Sequence, residues 1–97
     1  MPKTLGMSPE LSARSHDWAR RIMQMEMKRH SMTYPELVKR LNEVGVDENE
    51  RNLRNKVGRG EFSAAFMLVC MKVMGAKAIP VEEWGWGGDE PLTTSQS

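Results

Sequence analysis

The sequence predicts an all-α fold, a bundle of four to five helices, and three observations carry that prediction. Strand formers are scarce, with one Tyr and two Phe, while Leu, Met, Ala, Glu, Lys and Arg dominate. Apolar residues recur three and four apart in four separate segments, the period of a helix face. Each segment opens on Ser, Thr or Asp and closes on glycine or a basic cluster, the residues that begin and end helices. At 97 residues, with 39% hydrophobic and 28% charged side chains, the chain has the composition of one globular domain.

Residues 1–14 are polar, contain Pro2, Gly6 and Pro9, and lack periodicity, so they are expected to form a flexible N-terminal arm. The helical domain is placed at 15–81. Its first helix is predicted from Ser15 as N-cap to His30, with Asp17 in the first turn and Lys28, Arg29 and His30 in the last, matching the helix dipole at both ends. Trp18, Ile22 and Met25 form its apolar stripe. Thr33-Tyr34-Pro35-Glu36 reads as a capping box opening the second helix, with Met32 and Leu37 as its hydrophobic staple. Leu37, Leu41 and Val44 continue the stripe to Gly45.

Asp47-Glu48-Asn49-Glu50 reads as another capping box, and it starts a third helix from about Glu48 to Val57. Leu53 and Val57 are its only apolar side chains, one turn apart. A helix anchored by two aliphatics is poor as core and suited to display. The fourth helix starts at Ser63 with Phe62 and Met67 as its staple, and runs to the Gly75 cap. It is apolar almost all round, which predicts a helix covered on more than one side, either central in the core or with one face packed against a second copy. The expected core is Trp18, Ile22, Leu37, Leu41, Val44, Leu53, Val57, Phe62, Phe66, Val69, Cys70 and Val73. Ala78 to Val81 is expected to dock as a short extended end. Residues 82–97 are acidic and rich in Gly, Trp, Ser and Thr, and are expected to be a flexible tail; Trp84-Gly85-Trp86 within it could serve as a short motif for a protein partner.

Composition excludes several functions. Cys70 is the single cysteine, so no disulfide can form within the chain, and with His16 and His30 it does not complete a four-ligand zinc site. His16 and His30 lie at the two ends of one predicted helix, roughly 20 Å apart. No Ser/His/Asp or paired-carboxylate arrangement has a partner set that would make it catalytic, so neither an enzyme nor a cofactor is expected. Cys70, mid-helix among apolar neighbours, reads as a buried inert thiol. The longest apolar run, Ala64 to Met71, has 8 residues, against the roughly 20 that cross a bilayer. No apolar run follows Met1-Pro2-Lys3-Thr4, so a cytoplasmic protein is expected.

The net charge of +1 conceals a division. Residues 1–77 hold all 14 cations against 9 acids, a net of +5, and residues 78–97 hold 4 acids and no cation, a net of −4. Arg51, Arg54, Lys56 and Arg59 crowd into one stretch free of acids, the densest basic patch in the chain and a natural contact for a polyanion. A capped helix, a short glycine-containing turn and a short basic helix on two aliphatics form the layout of a helix-turn-helix, whose second helix enters the major groove of DNA. If Leu53 and Val57 face inward, Arg51, Asn52 and Asn55 project outward. Arg can fork onto guanine and Asn onto adenine, so these three are the expected base contacts. Arg54, Lys56 and Arg59, with Thr33 and Tyr34 at the start of the second helix, are the expected phosphate contacts.

At Met32 to Leu37 and Asn52 to Gly60 the chain resembles the lambda-repressor-type helix-turn-helix. The stretch Trp18 to Gly75 resembles a family of short bacterial proteins labelled only as a domain of unknown function. The residues that carry this likeness are Trp18-Ala19, Asp47 to Val57, Arg59-Gly60 and Phe62-Ser63-Ala64-Ala65-Phe66, together with Cys70. The first resemblance implies a DNA-binding transcriptional regulator; the second implies no activity. One feature departs from the repressors: Glu36 to Leu53 spans about one helical turn more, which is expected to lengthen the second helix. Glu48 and Glu50 also stand at the start of the third helix, where carboxylates repel phosphate.

The expected partner is double-stranded DNA, bound by a homodimer with the fourth helix or Ile79 to Trp86 at its interface. The alternative is a protein-interaction module that uses the same basic helix as a docking face.

Overall fold

The computed structural model describes residues 6–79. These form four helices: α1 (Pro9–Arg29), α2 (Tyr34–Glu43), α3 (Glu50–Arg59) and α4 (Ala64–Met74). Among the described residues no strand is present, so the fold is all-α.

Every helix is closed at both ends by its own sequence. Ser8, Thr33, Asn49 and Ser63 each accept the amide three residues ahead, from Leu11, Glu36, Asn52 and Phe66. Each accepts one of the four amides that an isolated helix leaves without a partner. At the other ends, Met32, Val46, Glu61 and Ala76 donate their amides back to Met27, Leu41, Lys56 and Met71. That is the six-to-one bond of a Schellman cap. The residue before each donor has positive φ; it is glycine in three cases and Ser31, at 53°, in the fourth.

Two starts differ from the sequence expectation. α1 begins at Pro9, because Ser8 caps it and Pro9 and Glu10 suit a first turn; a capped start extends the helix through residues 9–14, where no apolar period announces it. α3 begins at Glu50 with Asn49 as cap, so Asp47-Glu48-Asn49-Glu50 is not its capping box. At α2, Thr33 accepts from Glu36 as expected, while the Glu36 carboxylate accepts from Arg40 Nε at 3.1 Å.

The helices pack in a closed cycle: α1 and α2 each lie against both α3 and α4. No helix is central. α4 therefore does not fill the middle of the bundle, and Ala64, Ala65, Leu68 and Lys72 remain exposed on it. The extra span before Leu53 lies in the connection 44–49, since α2 has only ten residues. Val44, expected in the core, is 58% exposed. It sits at the end of α2 where the chain turns away, and Val46 packs against the core in its place.

The rest of the expected core holds. Trp18, Ile22, Leu37, Leu41, Leu53, Val57 and Cys70 are buried, and Phe62, Phe66, Val69 and Val73 pack against them. Five methionines join that core: Met23, Met27, Met32, Met71 and Met74 are all buried. Unbranched and flexible, Met fills irregular gaps between short helices that differ in direction. Ile79 also packs against the core. The N-terminal segment 1–5 and the expected tail at 82–97 lie outside the described residues, as does Trp84-Gly85-Trp86.

One junction is especially tight. Gly60 ends α3 with φ 68° and is buried, and a methyl group added there would overlap the main-chain carbonyl of His16 in α1. α3 can seat its end against α1 only because this residue has no side chain.

Candidate nucleic-acid interface

α3 offers ten residues, and only Leu53 and Val57 are apolar; both are fully buried. They lie four apart and so point the same way, into the crevice between α1 and α2. The opposite side of the helix carries Arg51, Asn52, Asn55, Gly58 and Arg59, all exposed. The two anchors therefore set the helix's rotation, and the rotation places the three expected base-contacting residues in solvent.

The four cations of this stretch have different surroundings. Arg51 makes no ion pair among the described residues. Arg59 has only a loose pairing, 4.0 Å from Glu61. Arg54 is held by Glu50, which accepts from both its Nε and its Nη2, and its guanidinium lies over the Tyr34 ring at 4.6 Å. This stack joins the middle of α3 to the first residue of α2. It brings Thr33 and Tyr34 beside α3, as a shared phosphate-binding edge would need, with the Thr33 hydroxyl already occupied by the Glu36 amide.

Lys56 is placed differently. Its Nζ donates to Glu48 Oε2 at 2.7 Å and lies 4.5 Å from the centre of the Phe66 ring. Glu48 itself is buried, its backbone amide held by Asn42 and its other carboxylate oxygen by the Asn49 amide. A buried carboxylate requires a partner, and Lys56 supplies it. The pair ties the 44–49 connection to α3 and α4. Glu48 was not recognised in the sequence as an anchor, because a partner eight residues away across a turn leaves no periodic signal.

The same cluster governs Cys70. Burial pushes its thiol up to about 12, and the nearby Glu48 carboxylate adds to the rise while Lys56 opposes it. The thiol is therefore protonated at neutral pH. In α1, Glu26 is a second buried carboxylate, 3.3 Å from His30 Nε2 and 3.4 Å from Arg29 Nε. Among the described residues, no three His, Cys, Asp or Glu side chains gather as a metal site would need. No helix there is long and apolar enough to cross a membrane.

Beside the outward face of α3 lies a shallow depression of about 210 Å³, lined by Asn52, Asn55, Lys56, Arg59 and Glu61. Two of the expected base contacts thus share one recess with the end of the helix, and Arg51 stands outside it. A family model described as a domain of unknown function (DUF6471) matches residues 16–79. No curated protein and no solved structure matches the chain.

Proposed function

The chain belongs to the DUF6471 family, and for this member we propose sequence-specific binding of double-stranded DNA, with α2 and α3 as a helix-turn-helix and α3 as the groove-entering helix. One observation carries the reading. α3 is held by two fully buried aliphatics, and its whole opposite side presents Arg51, Asn52, Asn55 and Arg59 to solvent. Those side chains have the donor and acceptor patterns that read guanine and adenine edges in the major groove. Thr33 and Tyr34, with the amides that open α2, lie where they could hold a phosphate.

Arg51 and Arg59 are the cations of α3 most available for phosphate, since Arg54 and Lys56 already face carboxylates. A monomer with so few contacts binds weakly, and this is the reason to propose a homodimer acting as a transcriptional regulator in the cytoplasm. Leu68, 59% exposed on α4, supports that choice. α4 packs mainly against α1 and α2 and meets α3 through the Lys56–Phe66 contact, so a second copy seated on the exposed Leu68 would leave the outward side of α3 free.

The test is the affinity for duplex DNA as a function of salt. Binding that falls steeply between about 50 and 200 mM salt supports the reading. At a selected cognate site, replacing Asn52 or Asn55 by Ala should cost about 1–3 kcal/mol and relax preference at one base pair. Replacing Arg51 or Arg59 should flatten the salt slope by about one unit each. A wild-type protein that fails to bind duplex at ~50 mM salt overturns the reading. The competing role is a docking face for an acidic protein, which the exposed Arg51 and Arg59 would also attract. Variants that keep DNA binding unchanged but lose a protein partner would establish it instead.

A further inference from the structure

Gly58 has no role within the fold. It lies inside α3, one turn beyond Asn55, and is exposed. Its φ is not positive, unlike those of Gly45, Gly60 and Gly75. A methyl group built on it meets nothing within 4 Å. Glycine is among the poorest helix formers, and α3 already ends on Gly60. Neither turn geometry nor packing therefore explains a glycine here.

Its surroundings point outside the molecule. Gly58 follows Asn55 by three residues, Arg54 by four and Arg51 by seven, so it continues the strip along one edge of the outward face. The other edge, bordered by Asn52, Asn55 and Arg59, is the one beside the depression. The face is thus uneven: one edge is recessed beside Asn52 and Arg59, and the other, which carries Arg51, is bare at Gly58. A side chain at 58 would hold any partner away from the helix backbone by at least one C–C bond, about 1.5 Å. Glycine is the residue that allows close backbone approach.

We infer that Gly58 is where the sugar-phosphate backbone of one DNA strand comes closest to α3, with Arg51 as the charge that holds it there. The inference rests on the DNA-binding reading and adds to it the side of the helix against which the groove wall lies. Arg51 makes no ion pair among the described residues, so its charge is available to a polyanion. The opposite edge then faces the bases.

The experiment compares Gly58→Ala and Gly58→Leu with wild type in two measurements, thermal unfolding and titration of a short mixed-sequence duplex at about 50 mM salt. Ala and Leu are both good helix formers, so each variant should melt higher than wild type, by roughly 4 °C. Duplex affinity should fall about tenfold for Ala, and further for Leu, as an overpacked contact is forced apart. Higher stability together with size-graded loss of binding supports close approach. Variants that bind as tightly as wild type overturn the inference while leaving the DNA reading intact. A lower melting temperature for Gly58→Ala also overturns it, because the fold would then need the glycine. A wild type that binds no duplex overturns the DNA reading and this inference together.

Discussion

α3 and α4 have nearly the same length and opposite compositions, and the more polar of the two is the better anchored. α3 has two apolar side chains, and both are fully buried. α4 is apolar at every position except Lys72, yet Leu68 stays 59% exposed and Ala64 and Ala65 face solvent. Both helices pack against α1 and α2. What differs is fit. Leu53 and Val57 enter one crevice, and Gly60 lets the end of α3 close against α1, whereas the surface of α4 exceeds what its two neighbours cover. Hydrophobicity drives burial, but the number and shape of the surrounding elements decide how much of it is satisfied.

The largest effect should come from the closure that seats α3. Gly60→Ala combines a left-handed backbone conformation with overlap of the His16 carbonyl, and should destabilise by upward of about 3 kcal/mol. Urea unfolding measures it. A variant of near wild-type stability would mean that α3 can end elsewhere, and the contrast with α4 would lose its structural cause.

Next comes the same substitution in both helices. Leu53→Ala should cost about 2–5 kcal/mol, since it empties a fully buried site. Leu68→Ala should stay within about 0.5 kcal/mol of wild type in the monomer. If Leu68→Ala instead destabilises in a manner that depends on protein concentration, a second copy covers that face.

The smallest effect concerns the inner side of α4. Cys70 should resist alkylation at pH 8 in the native protein and react readily in denaturant, because its thiol is buried and protonated. Its ordinary value of 9.0 rises to about 12 on folding. The folded chain therefore keeps a proton that the unfolded chain releases. This contribution to stability is complete below pH 9 and is lost as pH rises toward 12. Fast native alkylation would show that α4 opens on its inner face as well as its outer one.

Much of this comparison was legible in the residues themselves. The caps Thr33 and Ser63 act between residues three apart, and Leu53 and Val57 lie one turn apart, so both follow from local order. Ser8-Pro9-Glu10 is equally local, but there a cap and a proline carry the signal and apolar periodicity does not. The candidate face was legible to the same degree. Once Leu53 and Val57 are assigned inward, helical geometry alone turns Arg51, Asn52 and Asn55 outward.

The charges on that face were not. Arg51 and Lys56 are both cations on a short polar helix, yet one projects into solvent and the other reaches a buried carboxylate. The sequence by itself determined an all-α chain, the ends of most of its helices and the inward pair of α3, because hydrogen bonds and side-chain spacing within a helix depend on neighbours a few residues away. Only the tertiary structure decided that Val44 lies outside and five methionines inside, that Glu48 takes Lys56, and that Gly60 meets His16. Those outcomes depend on how separate helices approach one another, and the approach is set by the summed packing of every face at once, a quantity that no local pattern contains.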